Sequence, residues 1–149
     1  MFRSGHDEDP FTTYDGLPVS REPPHGATVV VASESPDGWR YLVLHRAHHG
    51  AEFGGDWAWT PPAGARLPGE DIADCAAREL EEESGLRGSP SPLLVGSVEW
   101  AVFDMVVPWG TYIVVDGVEH DRYEWLSLEE ACARCLPPIV GASLRLAAR

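Results

Sequence analysis

The chain contains no lysine: its cationic side chains are eleven arginines, set against 24 aspartates and glutamates, and its formal net charge is −13. Such a surface repels nucleic-acid polymers and anionic membranes, because both are bound through cationic contacts. Neither is expected as a partner. No apolar run approaches the ~20 residues needed to cross a bilayer, and the opening MFRSGHDEDP lacks a basic, apolar leader pattern, so a cytoplasmic location is expected. Cysteine is also scarce, with three in 149 residues. Cys75 reads as a small core residue. Cys132 and Cys135 form a Cys-x-x-Cys pair without a second pair, and read as two thiols on a C-terminal helix rather than a redox motif or half a zinc site.

What is present fits one compact domain. A chain of 149 residues has room for a single core that buries roughly two-thirds of the unfolded surface. Residues 1–26 are polar, acidic and proline-containing; they form an arm that is either disordered or wraps the domain or a second subunit through Phe11, Tyr14 and Leu17. A homodimer is therefore one expectation. The domain proper is placed at residues 27–149. Ala27–Ser33 and Trp39–His45 read as strands joined by a Ser-Pro-Asp-Gly turn. Strand material follows over Leu93–Val107, Gly110–Val115 and Tyr123–Leu126, then helical signals over Leu128–Cys135 and Ile139–Ala148, separated by Pro137-Pro138. With one helix between the strands, this order implies a mixed α/β (α+β) fold, a central sheet covered by helices.

The internal helix carries the chemistry. Asp71 is placed to cap its start after the Pro68-Gly69 turn, and Gly85 to end it. At about 100° per residue, Glu79, Glu82 and Glu83 fall within an arc of roughly 100°. Like charges three and four residues apart repel on a helix, and these three lie near the end whose dipole disfavours anions. Ile72, Ala73, Ala76, Ala77 and Leu80 form the adjoining apolar stripe, so the acidic arc lies at the rim of a buried face. Divalent cations would relieve the repulsion. Hard cations such as Mg²⁺ favour oxygen ligands and contact substrate phosphates, which points to phosphoric anhydride chemistry. A solvated charge run has no use for a glycine fourteen residues upstream of one arginine, whereas a metal loop needs close backbone approach.

The segment from Gly64 to Leu86 resembles the Nudix box, Gly-x5-Glu-x7-Arg-Glu-U-x-Glu-Glu-x-Gly-U, where U is bulky and aliphatic. Every fixed position matches: Gly64, Glu70, Arg78, Glu79, Leu80, Glu82, Glu83, Gly85 and Leu86. The resemblance implies a Nudix-like α/β/α sandwich with a mixed central sheet. It also implies hydrolysis of a nucleoside diphosphate linked to a moiety X, with Mg²⁺ or Mn²⁺ as cofactor and a small nucleotide anhydride as partner. By the same resemblance Glu82, Glu83 and the Gly64 carbonyl would hold metal. Glu79 would be a further ligand or the general base, Arg78 would orient it, and Glu70 and Gly85 would support the loop. A further acidic residue often enters such sites several positions before a tryptophan; Glu119, six before Trp125, is the candidate, the alternative being a polar turn.

Substrate recognition rests on other residues. Arg46, just after the second strand, is placed to meet phosphate with its planar fork. Trp57 and Trp59 are placed to stack a base; they and Trp100, Phe103 and Trp109 either do so or fill core. Pro-Ala-Gly before the box is similar to ADP-ribose pyrophosphatases, and Glu119-His120-x-x-Tyr123-x-Trp125 is similar to some bacterial dinucleoside polyphosphate hydrolases. Nucleoside triphosphates remain a third class of substrate. Two other functions stay open, a catalytically silent nucleotide-binding regulatory module on this fold and an isomerase of allylic diphosphates. The complete glutamate set argues against the first, and nothing distinctive supports the second. If the hydrolase reading holds, Glu82→Gln lowers turnover by about 10²-fold or more with the fold retained; steady-state kinetics beside circular dichroism check this, and unchanged turnover contradicts it.

Overall fold

The structure, a computed structural model, describes residues 11–13, 16–93 and 97–149. Two long strands, β1 (Gly26–Ser35) and β2 (Gly38–Arg46), form the expected antiparallel hairpin, with Ser35 opposite Gly38. They stay paired only from Ala32 and Tyr41 to the turn. Beyond that they diverge, and the chain after Trp57 fills the gap. There β3 (Trp59–Thr60) pairs with β2 through Leu44 and His45, while β4 (Ala63–Ala65) pairs with β1 through Gly26, Ala27 and Thr28. The box glycine thus lies inside the sheet, opposite Ala27.

The rest of the sheet is built around this wedge. β5 (Ser91–Pro92) pairs antiparallel with β6 (Ala101–Val106), which runs parallel to β1, and β7 (His120–Leu126) runs antiparallel to β2. The one parallel pairing makes the sheet mixed. Helix α1 (Ile72–Ser84) covers one face, and α2 (Leu128–Arg134) with α3 (Pro138–Leu146) the other. β1 is apolar from Val29 to Ala32 because both its faces are covered there. Val29 and Val31 pack with Leu42, Leu44, Ala76 and Leu80 under α1, while Val30 and Ala32 pack with Tyr41, Val43, Ala131 and Leu144 under α2 and α3. This is the α/β/α sandwich that the box implied.

Local signals set the helix ends. The Asp71 carboxylate accepts the Ala73 N–H at 2.8 Å, and Gly85 closes α1 at φ 75°, its N–H bound to the Glu81 carbonyl. Ser127 and Glu130 form a reciprocal capping box on α2. Cys135 caps the other end of α2, buried, with its thiol pKa pushed up to about 12 by that burial. Burial does the same to Cys75 under α1. α3 starts at Pro138, one residue before the expected Ile139, and ends at Leu146.

Two expectations need correction. Gly110–Val115 is not a strand: the Val114 N–H goes to the Ser84 carbonyl at the end of α1, and Ile113 is buried against the α1 side of the sheet. An amide spent on a helix terminus is lost to a ladder. The strand expected from Leu93 begins at Ala101, although the Leu93 N–H still reaches the Val102 carbonyl. Residues 94–96 of that stretch lie outside the described residues, as do Tyr14 and residues 1–10 of the arm. The described part of the arm folds on itself, with Val19 N–H on the Phe11 carbonyl, and joins the domain through Ser20 N–H on the Arg66 carbonyl and His25 N–H on the Glu99 carbonyl.

Leu80 is fully buried between α1 and the sheet. Leu80→Ala is expected to cost about 2–5 kcal/mol of unfolding free energy. Urea denaturation measures it, and a loss below about 1 kcal/mol contradicts this packing.

Candidate active site

Arg78 organises the loop of the box. Its Nε and Nη2 donate to the two Glu70 carboxylate oxygens at 2.7 and 2.9 Å, Nη2 also donates to the Ala65 carbonyl at 3.0 Å, and Nη1 to Glu79 at 2.8 Å. A longer contact of 3.3 Å reaches Glu82. One guanidinium therefore ties α1 to β4 and to the loop before the helix, a task for a planar fork and not for a point charge. Arg78 holds the Glu70 carboxyl below its usual range, chiefly through that hydrogen bond. Glu70 also accepts the Leu67 N–H at 3.0 Å, which closes the loop on itself.

Behind this clamp lie two buried carboxylates. Glu79 is 8% exposed and Glu83 5%. Glu83 accepts the Ala63 N–H at 3.0 Å and hydrogen-bonds Glu79. Burial lifts Glu79 to about 7, although the bond from Glu83 and the Arg78 charge pull the other way. Burial and the neighbouring Glu79 charge lift Glu83 well above the usual carboxylate range. Without a cation the pair holds a proton between its members. A Cβ on Gly64 would come within 2.1–2.3 Å of the Glu79 carboxyl, so only glycine permits this approach of backbone to carboxylate.

On the other side of Glu83, the loop before β7 brings up two more groups. Asp116 accepts the N–H groups of Val118, Glu119 and His120 at 2.8, 2.9 and 3.3 Å, folding the loop into a tight turn. Burial works against its charge, but the three donors hold its carboxyl below the usual range. Glu119 is exposed, whereas His120 is only 3% exposed. One ligand atom each from Glu83, Glu119 and His120 lie within 4.8 Å of one another. Burial and the nearby Arg46 charge push His120 down to about 4, so its imidazole is neutral.

These groups line a cleft of about 540 Å³ whose floor is the box and whose walls are α3, Trp57, Trp100 and the arm around Leu17. Gly64, Glu79, Glu82, Glu83, Arg46, Trp57 and Glu119 all border it. Glu82 stands at the rim, with its side chain 57% exposed. Among the described residues the Arg46 guanidinium has no hydrogen-bonded carboxylate. Trp57 adopts φ 67°, and its N–H binds the Leu136 carbonyl at 2.5 Å, which fixes it at the α3 side. Gly85 lies away from the cleft, at the end of α1 against Val114.

Trp59 does not join them. It is 5% exposed and packs on His45, with the Arg122 and Arg134 guanidinium groups 5.2 and 5.1 Å from its ring. Alternation within β3 turns Trp59 from the cleft that Thr60 faces, while Trp57 lies before the strand at positive φ and borders the cleft. Trp100, read from sequence as a residue that either stacks a base or fills core, borders the cleft. Trp100 is fixed by an indole N–H bond of 2.9 Å to Thr28, and its ring fills the space beside Gly26. His120 read only as part of a polar turn; its sole signal was its place next to Glu119.

The family model of the NUDIX domain matches residues 23–142. The chain belongs to the Nudix family. It is 34% identical over 86 residues to the asymmetrical bis(5'-nucleosyl)-tetraphosphatase of Sus scrofa, a match that covers 50% of this chain and 58% of that protein. It thus spans a little over half the length of the curated relatives it matches. Its fold is shared by a C. elegans Ap4A hydrolase in a binary complex, with TM-score 0.64, 21% identity and coverage of 81% and 92%. The NUDIX domain of Shewanella oneidensis NrtR complexed with ADP ribose shares it too, with TM-score 0.63, 13% identity and coverage of 82% and 84%.

The raised carboxyls make stability depend on pH. The folded chain keeps protons on Glu79 and Glu83 that an unfolded chain releases near 4.5. Their contribution is therefore full below that value and is lost as pH rises through about 7. Melting of the metal-free protein is expected to fall from about pH 5 to about pH 8, and Glu83→Gln to flatten the decline. Equal slopes in the two proteins contradict the shared proton.

Proposed function

We propose that this protein is a metal-dependent pyrophosphohydrolase that cleaves a nucleoside diphosphate linked to X, with dinucleoside polyphosphates as the preferred class. One observation carries the reading. Two buried carboxylates lie at the floor of the cleft, Glu79 against the Gly64 backbone and Glu83 on the Ala63 N–H, an arrangement that is costly without a bound cation. The likeness to bis(5'-nucleosyl)-tetraphosphatases supports the substrate class. ADP-ribose and nucleoside triphosphates are the other classes that the panel below separates.

The donor set fits a hard divalent ion. Glu82, Glu83, the Gly64 carbonyl and Glu119 are the residues that would hold Mg²⁺ or Mn²⁺, with Glu79 as a further ligand or as base. Bound there, such an ion would offset the charge of the substrate phosphates and of the transition state. Glu79 is placed to take a proton from the attacking water, since its carboxyl titrates near neutrality at about 7. Arg78 holds the Glu79 oxygen in place through the bond at 2.8 Å. Water adds to phosphorus, the anhydride P–O bond breaks, and both products leave as phosphate ends. Arg46, paired with His120 across β2 and β7, meets the phosphate chain beside Glu119, and Trp57 offers its ring to a base.

A panel of dinucleoside tetraphosphate, ADP-ribose, nucleoside triphosphates and coenzyme A, incubated with Mg²⁺ or Mn²⁺ in ¹⁸O-labelled water, tests the proposal. Asymmetric cleavage of the tetraphosphate is expected, with the label in one product; silence across the panel overturns it. Arg46→Ala is expected to raise KM about tenfold or more while changing kcat less. An unchanged KM removes Arg46 from phosphate binding.

A further inference from the structure

We propose that the arm is a specificity element of the cleft: Arg66 pins it to the box, and Leu17, with Ile139 and Leu146 of α3, receives the second nucleoside of a dinucleoside polyphosphate. The proposal rests on the hydrolase reading above and assigns the end of the substrate that lies away from the carboxylates.

The first observation is the pinning. Arg66 occupies one of the positions that the box leaves open between Gly64 and Glu70. Its N–H donates to the His25 carbonyl at 2.8 Å, and its carbonyl accepts the Ser20 N–H at 2.7 Å. Its guanidinium donates from Nη1 to the Glu22 and Pro24 carbonyls, each at 3.3 Å, and from Nε to the Glu70 carbonyl. One residue thus joins Ser20, Glu22, Pro24 and His25 of the arm to the loop that precedes α1. Within the arm, the Arg21 guanidinium lies 4.7 Å from the centre of the Phe11 ring, Thr12 bridges Pro18, and the Leu17 N–H binds the Thr13 hydroxyl at 2.9 Å. Terminal segments are ordered only where they are tied down, and these ties run to the box.

The second observation is the distribution of charge. Among the described residues that border the cleft, the charged ones are Arg46, Arg78, Glu79, Glu82, Glu83 and Glu119, all of them from the box, from β2 or from the loop before β7. The arm and α3 contribute none. They contribute instead Leu17, Ile139 and Leu146, which are 52%, 70% and 44% exposed. Large apolar side chains left to water by two separate elements, on one cavity, make a wall for an uncharged group. A phosphate moved to that wall would lose water without gaining a partner, so the phosphate chain stays with Arg46 and the box. A nucleobase is flat and uncharged. With one base at Trp57, the base at the far end of the chain is the part of the substrate that suits the wall.

Leu17→Ser tests the wall and leaves every bond of Arg66 in place. With Mg²⁺ or Mn²⁺ present, the KM for dinucleoside tetraphosphate is expected to rise about fivefold relative to the inhibition constant of nucleoside tetraphosphate, which has the phosphate chain and no second nucleoside. Arg66→Ala is expected to move the same ratio in the same direction, with faster amide hydrogen exchange over residues 16–25. A ratio unchanged in Leu17→Ser overturns the proposal. A fall in kcat with the ratio unchanged in Arg66→Ala marks a residue that supports the box through Glu70 alone, and removes Arg66 from specificity. Leu17 is exposed, so its variant decides the matter even where Arg66→Ala does not fold. Hydrolysis by the native protein, measured in parallel, reports on the parent reading: hydrolysis with an unmoved ratio removes the arm alone, whereas silence on every anhydride removes both.

Discussion

The Arg78 guanidinium is the contact on which the rest of the site depends. It binds Glu70 through two bonds, Glu79 through one and the Ala65 carbonyl through another. Those partners belong to the loop, the helix and the strand respectively. No other side chain of the box spans all three. The fork fixes where the helix sits over β4, and so how near the Glu79 carboxyl comes to the Gly64 backbone. The acidic arc of α1 is unfavourable on an open helix; here it becomes a shaped pocket because one cation neutralises part of it and the sheet buries the rest.

The sheet prepares this position by splitting. β1 and β2 leave the hairpin together and then part, and the segment from Trp59 to Ala65 takes the space between them. Pro61 and Pro62 stand in that segment, and the Val29 N–H binds the Pro62 carbonyl at 2.8 Å. A loop held on both sides by strands has little freedom. The backbone of the box loop is thus as fixed as the core, while other residues that line the cleft come from less regular parts: Arg46 at a strand end, Trp57 in a loop at positive φ, Leu17 in the arm.

Much of this was legible in the residues. The caps at Asp71 and Gly85, the hairpin at Ser35–Gly38 and the helix of the box follow from local preferences that no distant contact had to supply. The misreadings share a cause. Gly110–Val115 has strand-like residues, yet its amide is taken by the end of α1. Trp59 and Trp57 look alike in sequence, yet Trp59 lies in β3 under Arg122 and Arg134, while Trp57 precedes the strand at φ 67° and borders the cleft. His120 looked like turn surface because the burial around it comes from elements far away in the chain.

The sequence by itself determined the chemistry: a helix with carboxylates at fixed spacing, one arginine among them, and a glycine where a side chain cannot fit. Those features are local, since helical period and backbone freedom are properties of neighbouring residues. Only the tertiary structure decided which groups beyond the box enter the site. Glu119 and His120 reach Glu83 because β7 pairs with β2 and the Asp116 turn points the loop inward. Pairing of strands some 75 residues apart depends on burial and register across the whole sheet, and no short stretch of sequence encodes it.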